Sequence, residues 1–306
     1  MHWLRLVRWP NLLIIAFTQI VAWWCMIYPL PGLRVLHVPA FAMLCLSSVF
    51  IAAAGYIIND YFDINIDAIN KPGKVILERS IPRRLAIIVH SLLNVLAVIL
   101  AAVIAIPAGH PEWLLVQLLC SVMLWRYSTH WKRQFVIGNM VVALMTALTV
   151  VVLIVYEPAL KAAAAATSGV PGKPGPTAVL YGFAFFAFLL TWMREIVKDM
   201  EDYKGDAAEG CVTMPIRWGL LRSGRFVQAL AGVAIVALLL ASFMTGSERT
   251  GIELKWYADL IVVPALAIWA WKLPAPATVA HYHRASSQLK GIMILGIIAL
   301  LIYHYG

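Results

Sequence analysis

The chain has 306 residues, of which 62% are hydrophobic and 13% charged, with a formal net charge of +9; its mean hydropathy is +0.83. A soluble domain of this length needs far more polar surface, so the apolar excess must face lipid and a single water-soluble core is excluded. The basic excess calls for no nucleic acid, because orientation in a membrane and attraction to anionic lipid are enough to explain it.

A helix that crosses a bilayer takes about 20 apolar residues. Nine such spans are predicted, at roughly 11–30, 38–58, 84–106, 113–130, 135–156, 178–197, 222–244, 256–272 and 287–305. Arg5 and Arg8 ahead of the first give it the look of a signal peptide. No small-residue cleavage site follows, however, and Tyr28-Pro29-Leu30-Pro31-Gly32 forms a turn into the second span. The fourth span closes on Trp125-Arg126-Tyr127, and Pro264 interrupts the eighth. Segment 157–177, with Ala162 to Ala166 and then a Gly- and Pro-rich stretch from Gly169 to Pro176, is predicted to be a flexible loop without chemistry. Residues 1–306 are expected to form one membrane domain.

With nine spans and the N-terminus inside, the outside segments hold only Arg34, Lys161, Lys173, Arg249 and Lys255 of the 24 Lys and Arg residues. That asymmetry predicts an integral protein of the cell's inner or plasma membrane. Its N-terminus and segments 59–86 and 194–225 then lie on the cytoplasmic side. The four cysteines lack CxxC spacing and are expected to be small buried hydrophobes.

Asp60, Asp63 and Asp67 recur as Asp199, Asp202 and Asp206, each 139 residues later. Both triplets follow a long apolar span, which points to two related halves plus a ninth span. If each helix continues past the membrane edge, the i, i+3, i+7 spacing puts the three carboxylates on one face. Like charges so placed repel, and carboxylates near a bilayer are costly unless paired or solvated, so a cation is expected between them. Carboxylate oxygens without His or Cys suit Mg²⁺, Mn²⁺ or Ca²⁺, and the spacing excludes an EF-hand loop. Mg²⁺ is bound by a few carboxylates together with substrate phosphates. The clusters thus make two jaws that grip a diphosphate through bridging ions. Lys71, Lys74 and Arg79 after the first cluster, and Arg194 and Lys198 before the second, would stabilise the diphosphate as it leaves. Arg83 and Arg84 are assigned to membrane topology. Taken alone, Arg8-Trp9-Pro10-Asn11 and Tyr127-Ser128-Thr129-His130-Trp131-Lys132, with Gly138-Asn139, are interface anchors.

These residues resemble the UbiA superfamily of intramembrane prenyltransferases. The motif N-D-x-x-D-x-x-x-D is matched by Asn59, Asp60, Asp63 and Asp67, and D-x-E-D-x-x-x-D by Asp199, Glu201, Asp202 and Asp206. An R-P-x-N-type signature appears in altered form as Arg8, Pro10 and Asn11, and Y-S…K as Tyr127, Ser128 and Lys132. The resemblance covers roughly residues 5–220. It implies an all-α membrane protein of about nine helices in a horseshoe around a central cavity that opens laterally to lipid. Two Mg²⁺ ions at the cytoplasmic mouth would be held by Asp60, Asp63, Asp67, Asp199, Asp202 and Asp206. It moves Tyr127 and Lys132 into the diphosphate neighbourhood and Asn11 to the cavity wall; Asn59 belongs to the same binding set. The run from Arg194 to Asp202, then Gly205-Asp206, is most similar to the branch that adds a second geranylgeranyl chain to geranylgeranylglyceryl phosphate through an ether bond.

The expected reaction is transfer of an isoprenoid group from its diphosphate to a lipid-like or aromatic acceptor. The donor's tail is expected in a groove of small residues, Ala52, Ala53, Ala54 and Gly55, and Arg8 or Arg217 could take a phosphate on the acceptor. Two other readings stand beside it. A terpene cyclase of the same fold would quench the cation within its own chain. A transporter of ions or phosphorylated lipids would place its sites near mid-membrane instead of at one edge.

Overall fold

The computed structural model describes residues 2–70, 76–167, 175–245, 254–273 and 276–305. They form helices α1 (His2–Leu6), α2 (Trp9–Met26), α3 (Val38–Phe62), α4 (Ile64–Asn70), α5 (Arg83–Ala105), α6 (Leu114–Thr129) and α7 (Ile137–Tyr156). These are followed by α8 (Ala159–Thr167), α9 (Pro176–Glu201), α10 (Tyr203–Ala208), α11 (Met214–Trp218), α12 (Leu220–Thr245), α13 (Leu254–Trp271) and α14 (Val279–Tyr305). Eight of these, α2, α3, α5, α7, α9, α12, α13 and α14, are long and apolar enough to cross a membrane.

The predicted fourth span is the exception: α6 has 16 residues, about 24 Å at 1.5 Å per residue, short of a ~30 Å hydrocarbon core. It ends where His130 leaves helical geometry (φ −136°, ψ −52°), just after Ser128 and Thr129, whose hydroxyls donate to the carbonyls of Leu124 and Trp125. The chain then tightens into a 3₁₀ turn at Trp131–Arg133. In the eighth span, Pro264 has no amide to donate, and the preceding turn, Ala258–Val262, widens to a π-helix that accommodates the interrupted ladder.

Segment 157–177 departs from the expected loop. The alanine run falls in α8, as the strongest helix former would, while residues 168–174 lie outside the described set. Glu157, 1% exposed, ties this end of the bundle together by accepting the amide of Leu36 at 2.8 Å.

Three apolar clusters hold the helices. One, at the end far from the acidic motifs, joins Met26, Leu44, Ile104, Leu153 and Leu180. A second joins α9, α12, α13 and α14 through Met193, Val227, Leu266 and Leu289. A third packs Leu6, Ile57, Leu77, Ile81 and Ala86 beneath the first motif. α14 packs on both α9 and α2, so the last span meets the first.

Between α2, α7, α9, α12, α13 and α14 lies a cavity of about 390 Å³. Thr18, Thr146 and Thr149 line it, yet each hydroxyl donates to a carbonyl of its own helix, so the walls are apolar. This overturns the expected groove at Ala52–Gly55, none of which lines the cavity. Those small residues serve close helix packing instead: a Cβ on Gly55 would sit 2.9 Å from Leu124 Cδ1.

By contrast, Gly182 and Gly296 line the cavity with open space where a Cβ would be. Gly182→Leu or Gly296→Leu should shorten it without moving the backbone. For the isoprenoid diphosphate donor that the resemblance implies, either substitution is expected to lower kcat/KM for a geranylgeranyl donor about tenfold and spare a geranyl donor in competition, since overpacking costs about 1–3 kcal/mol.

Candidate active site

The one-face arrangement of the acidic motifs required each helix to continue unbroken, and the structure breaks both at the middle aspartate. Asp63 (φ −96°, ψ 3°) ends α3, and Asp202 (φ −92°, ψ 8°) ends α9. A short helix resumes after each, α4 and α10. The amides repeat as well. Asp63 donates to Asn59 O at 3.0 Å and Asp67 to Asp63 O at 2.8 Å, while Asp202 donates to Lys198 O at 2.8 Å and Asp206 to Asp202 O at 3.2 Å. The echo at 139 residues therefore extends to backbone geometry.

The two breaks face each other, with α4 packed on α10. Asn70 clamps them. Its Nδ2 donates to Asp202 O at 3.1 Å, and its Oδ1 accepts the Gly205 amide at 2.8 Å. A Cβ on Gly205 would lie 2.4 Å from Asn70 Nδ2, so any larger residue there displaces the clamp.

Each carboxylate has a polar neighbour. Arg8 donates to Asp60 at 2.7 Å and lies over the Tyr56 ring, 5.1 Å from its centroid. Lys132 pairs with Asp63, which also accepts Asn59 Nδ2 at 2.7 Å. Asn139 donates to Asp199 at 2.8 Å, and Asp199 feels the charge of Asp206 and Glu195. Burial opposes the charge of Lys132, but the Asp63 carboxylate outweighs it and raises its pKa above the ordinary lysine value. Tyr127 is half-buried with Lys132, Glu195, Asp63 and Asp199 as its charged neighbours.

Backbone strain flanks these contacts. Arg8 (φ 51°) and Val136 (φ 66°) occupy left-handed space, unfavourable for any side chain and most for a β-branched one. The first turns α1 away from α2 beside Asp60. The second returns the chain from the 3₁₀ turn to α7, where Gly138 approaches Trp131 O so closely that a Cβ would lie 2.8 Å away.

Arg194 and Lys198, expected at a diphosphate, both contact Glu195, at 2.8 and 3.0 Å. Arg79 is exposed in the turn before α5, and Lys71 and Lys74 lie outside the described residues. Arg217, offered for an acceptor phosphate, is exposed and stacks 4.8 Å from the Phe135 centroid; Arg8 is held by Asp60. Sequence reasoning missed Tyr56, Asn70, Glu195 and Lys290, and gave Asn139 no role. Lys290 carried a signal, since a lysine inside a predicted span is rare and marks function by default. Glu195 could have been found by following α9 in steps of four: Phe183, Ala187 and Thr191 line the cavity, and Glu195 and Asp199 continue that face.

Among the described residues, no three His, Cys, Asp or Glu side chains converge to hold a metal ion alone. The donor chemistry still fits Mg²⁺, which keeps waters and takes the remaining ligands from substrate phosphates. Asn59 Oδ1, buried without a hydrogen-bond partner beside Asp63, is a further hard oxygen.

An apolar cavity whose α9 wall runs on through Glu195 to Asp199, toward the carboxylate-bearing helix breaks and their cations, suits a long apolar chain with an anionic head. The chain belongs to the UbiA prenyltransferase family, whose model matches residues 13–287. It is 31% identical over 252 residues to the digeranylgeranylglyceryl phosphate synthase of Thermococcus sibiricus, covering 81% of this chain and 79% of that one. A solved structure concerned with digeranylgeranylglyceryl phosphate synthase in membranes has TM-score 0.64 at 24% identity, covering 98% of this chain and 96% of that one. A UbiA homologue from Archaeoglobus fulgidus bound to GPP and Mg²⁺ has TM-score 0.62 at 16% identity, covering 98% of this chain and all of that one. These likenesses show the fold.

Proposed function

We propose that the chain transfers a geranylgeranyl group from its diphosphate to the hydroxyl of geranylgeranylglyceryl phosphate, forming an ether lipid and releasing diphosphate. The observation that carries this is the pair of matching breaks at Asp63 and Asp202, brought together by α4 on α10, with the wall of the apolar cavity leading along α9 toward them. The name and extent of the Thermococcus relative support the choice of acceptor. The lysine and arginine distribution supports an N-terminus and a site mouth on the cytoplasmic side.

Asp60, Asp63 and Asp67 on one jaw and Asp199, Asp202 and Asp206 on the other are the residues that would hold Mg²⁺, two ions in all. When bound, the metal supplies positive charge that stabilises the departing diphosphate more than the intact ester. Lys132 adds a fixed ammonium between the jaws, and Tyr127 borders it. The cavity holds the isoprenoid chain and excludes water that would capture the allylic carbon. The C–O bond breaks with its electron pair leaving on the diphosphate. The acceptor oxygen then bonds to the allylic carbon and releases its proton. Asn70 and Gly205 keep the jaws in register.

The test is purified protein with Mg²⁺ and labelled geranylgeranyl diphosphate, offered geranylgeranylglyceryl phosphate and 4-hydroxybenzoate. Label in an ether lipid is expected. Label only on the aromatic ring would overturn the acceptor, and hydrocarbon release without acceptor would point to a cyclase.

A further inference from the structure

Three helices carry the cavity wall to a polar layer. On α2, Thr18 and Ile14 line the cavity and Asn11 follows one turn on. On α9, Thr191 is followed by Arg194 and Glu195, and on α14, Met293 is followed by Lys290. The three polar ends meet: Lys290 Nζ donates to Asn11 Oδ1 at 2.9 Å, and Arg194, Lys198, Arg8 and Glu195 are its charged neighbours. This layer is short of negative charge. Arg8 is matched by Asp60, but Arg194 and Lys198 share the single carboxylate of Glu195. Among the described residues, Lys290 has no carboxylate within ion-pair distance, and its hydrogen bond goes to a neutral amide. Arg194 Nε is buried with no hydrogen-bond partner. Buried cations without matching anions are costly, and an ammonium within a membrane span marks a ligand path.

We infer that Lys290, positioned by Asn11 and joined by Arg194, is an anion subsite that binds the phosphomonoester of the acceptor at the cavity mouth. This rests on the proposed acceptor. A phosphate here neutralises the surplus charge, accepts from the Lys290 ammonium and gives Arg194 Nε a partner. The donor's diphosphate belongs to the aspartate jaws, whose cations are Lys132 and Arg8. Lys290 thereby selects a phosphorylated lipid over a neutral one.

The experiment measures binding of geranylgeranylglyceryl phosphate, phosphate-free geranylgeranylglycerol and the unreactive donor geranylgeranyl thiolodiphosphate with Mg²⁺, using full-length protein in detergent. Lys290→Gln is expected to raise the Kd of the phosphorylated acceptor about tenfold or more, the loss of one charged hydrogen bond. Donor Kd and Tm should stay unchanged, Lys290→Arg should bind nearly as wild type, and the phosphate-free lipid should bind both proteins equally weakly. A rise in donor Kd with Lys290→Gln would overturn the assignment by giving the lysine to the diphosphate. Equal binding of phosphorylated and phosphate-free acceptors by wild type, or no binding of either, would also overturn it. If wild type binds the phosphorylated acceptor tightly through Lys290 yet forms no ether product, the transfer reading falls and the subsite stands.

Discussion

Asp63→Asn is expected to reduce prenyl transfer about a hundredfold to a thousandfold, the usual cost of removing one group that stabilises transition-state charge. Asp63 is 3% exposed, and it both accepts from Asn59 and pairs with Lys132. The substitution is isosteric, so shape is kept and one negative charge is lost. It also leaves the Lys132 ammonium in a largely desolvated place without its counterion. Breaking a fully buried pair costs about 3–5 kcal/mol; with a quarter of the Lys132 side chain exposed, about 1–3 kcal/mol is expected here. The two effects separate in a double variant. Asp63→Asn with Lys132→Met should recover most of the lost Tm, because neither charge remains, while transfer stays as low as in the single variant or lower. Recovery of both Tm and activity would mean that Asp63 serves only to neutralise Lys132.

Gly205→Ala should lower activity at least tenfold, because its Cβ would enter the space of the Asn70 amide. The amide would have to swing out and release both its bonds, to Asp202 O and from the Gly205 amide. At about 0.5–1.5 kcal/mol each, their loss frees α10 from α4 and misplaces Asp206 relative to Asp67. Asn70→Ala removes the same bonds from the other side. The double variant Asn70→Ala, Gly205→Ala should therefore be no worse than Asn70→Ala alone, a non-additivity that marks a shared contact. Additive losses in kcat/KM would show that Gly205 acts by another route.

The parts legible in the sequence are those that depend on period and charge. Nine apolar stretches gave eight helices long enough to cross a membrane and the shorter α6 among the described residues, and the two aspartate triplets stood out because carboxylates are rare in so apolar a chain. Features that depend on local competition were not legible. The breaks at Asp63 and Asp202 are such features, since spacing alone favours a continuous helix. The end of α6 is set where His130 leaves helical geometry, which periodicity does not reveal. The cavity was misplaced at Ala52–Gly55 because small residues signal close packing and lipid-chain grooves alike, and only the partner, here Leu124 against Gly55, decides between them. Lys290 and Asn70 are single polar residues far in sequence from their partners, Asn11 for the one and Asp202 and Gly205 for the other, and their roles exist only once α14 meets α2 and α4 meets α10.

Metal-dependent binding of the donor tests the account most directly. Geranylgeranyl thiolodiphosphate is titrated by calorimetry into wild type, Asp63→Asn and Asp202→Asn, with Mg²⁺ and with EDTA. The account predicts tight binding by wild type only with Mg²⁺, and its loss when either jaw is altered. Binding that survives EDTA, or that withstands alteration of one jaw while failing with the other, would contradict a diphosphate gripped between the two.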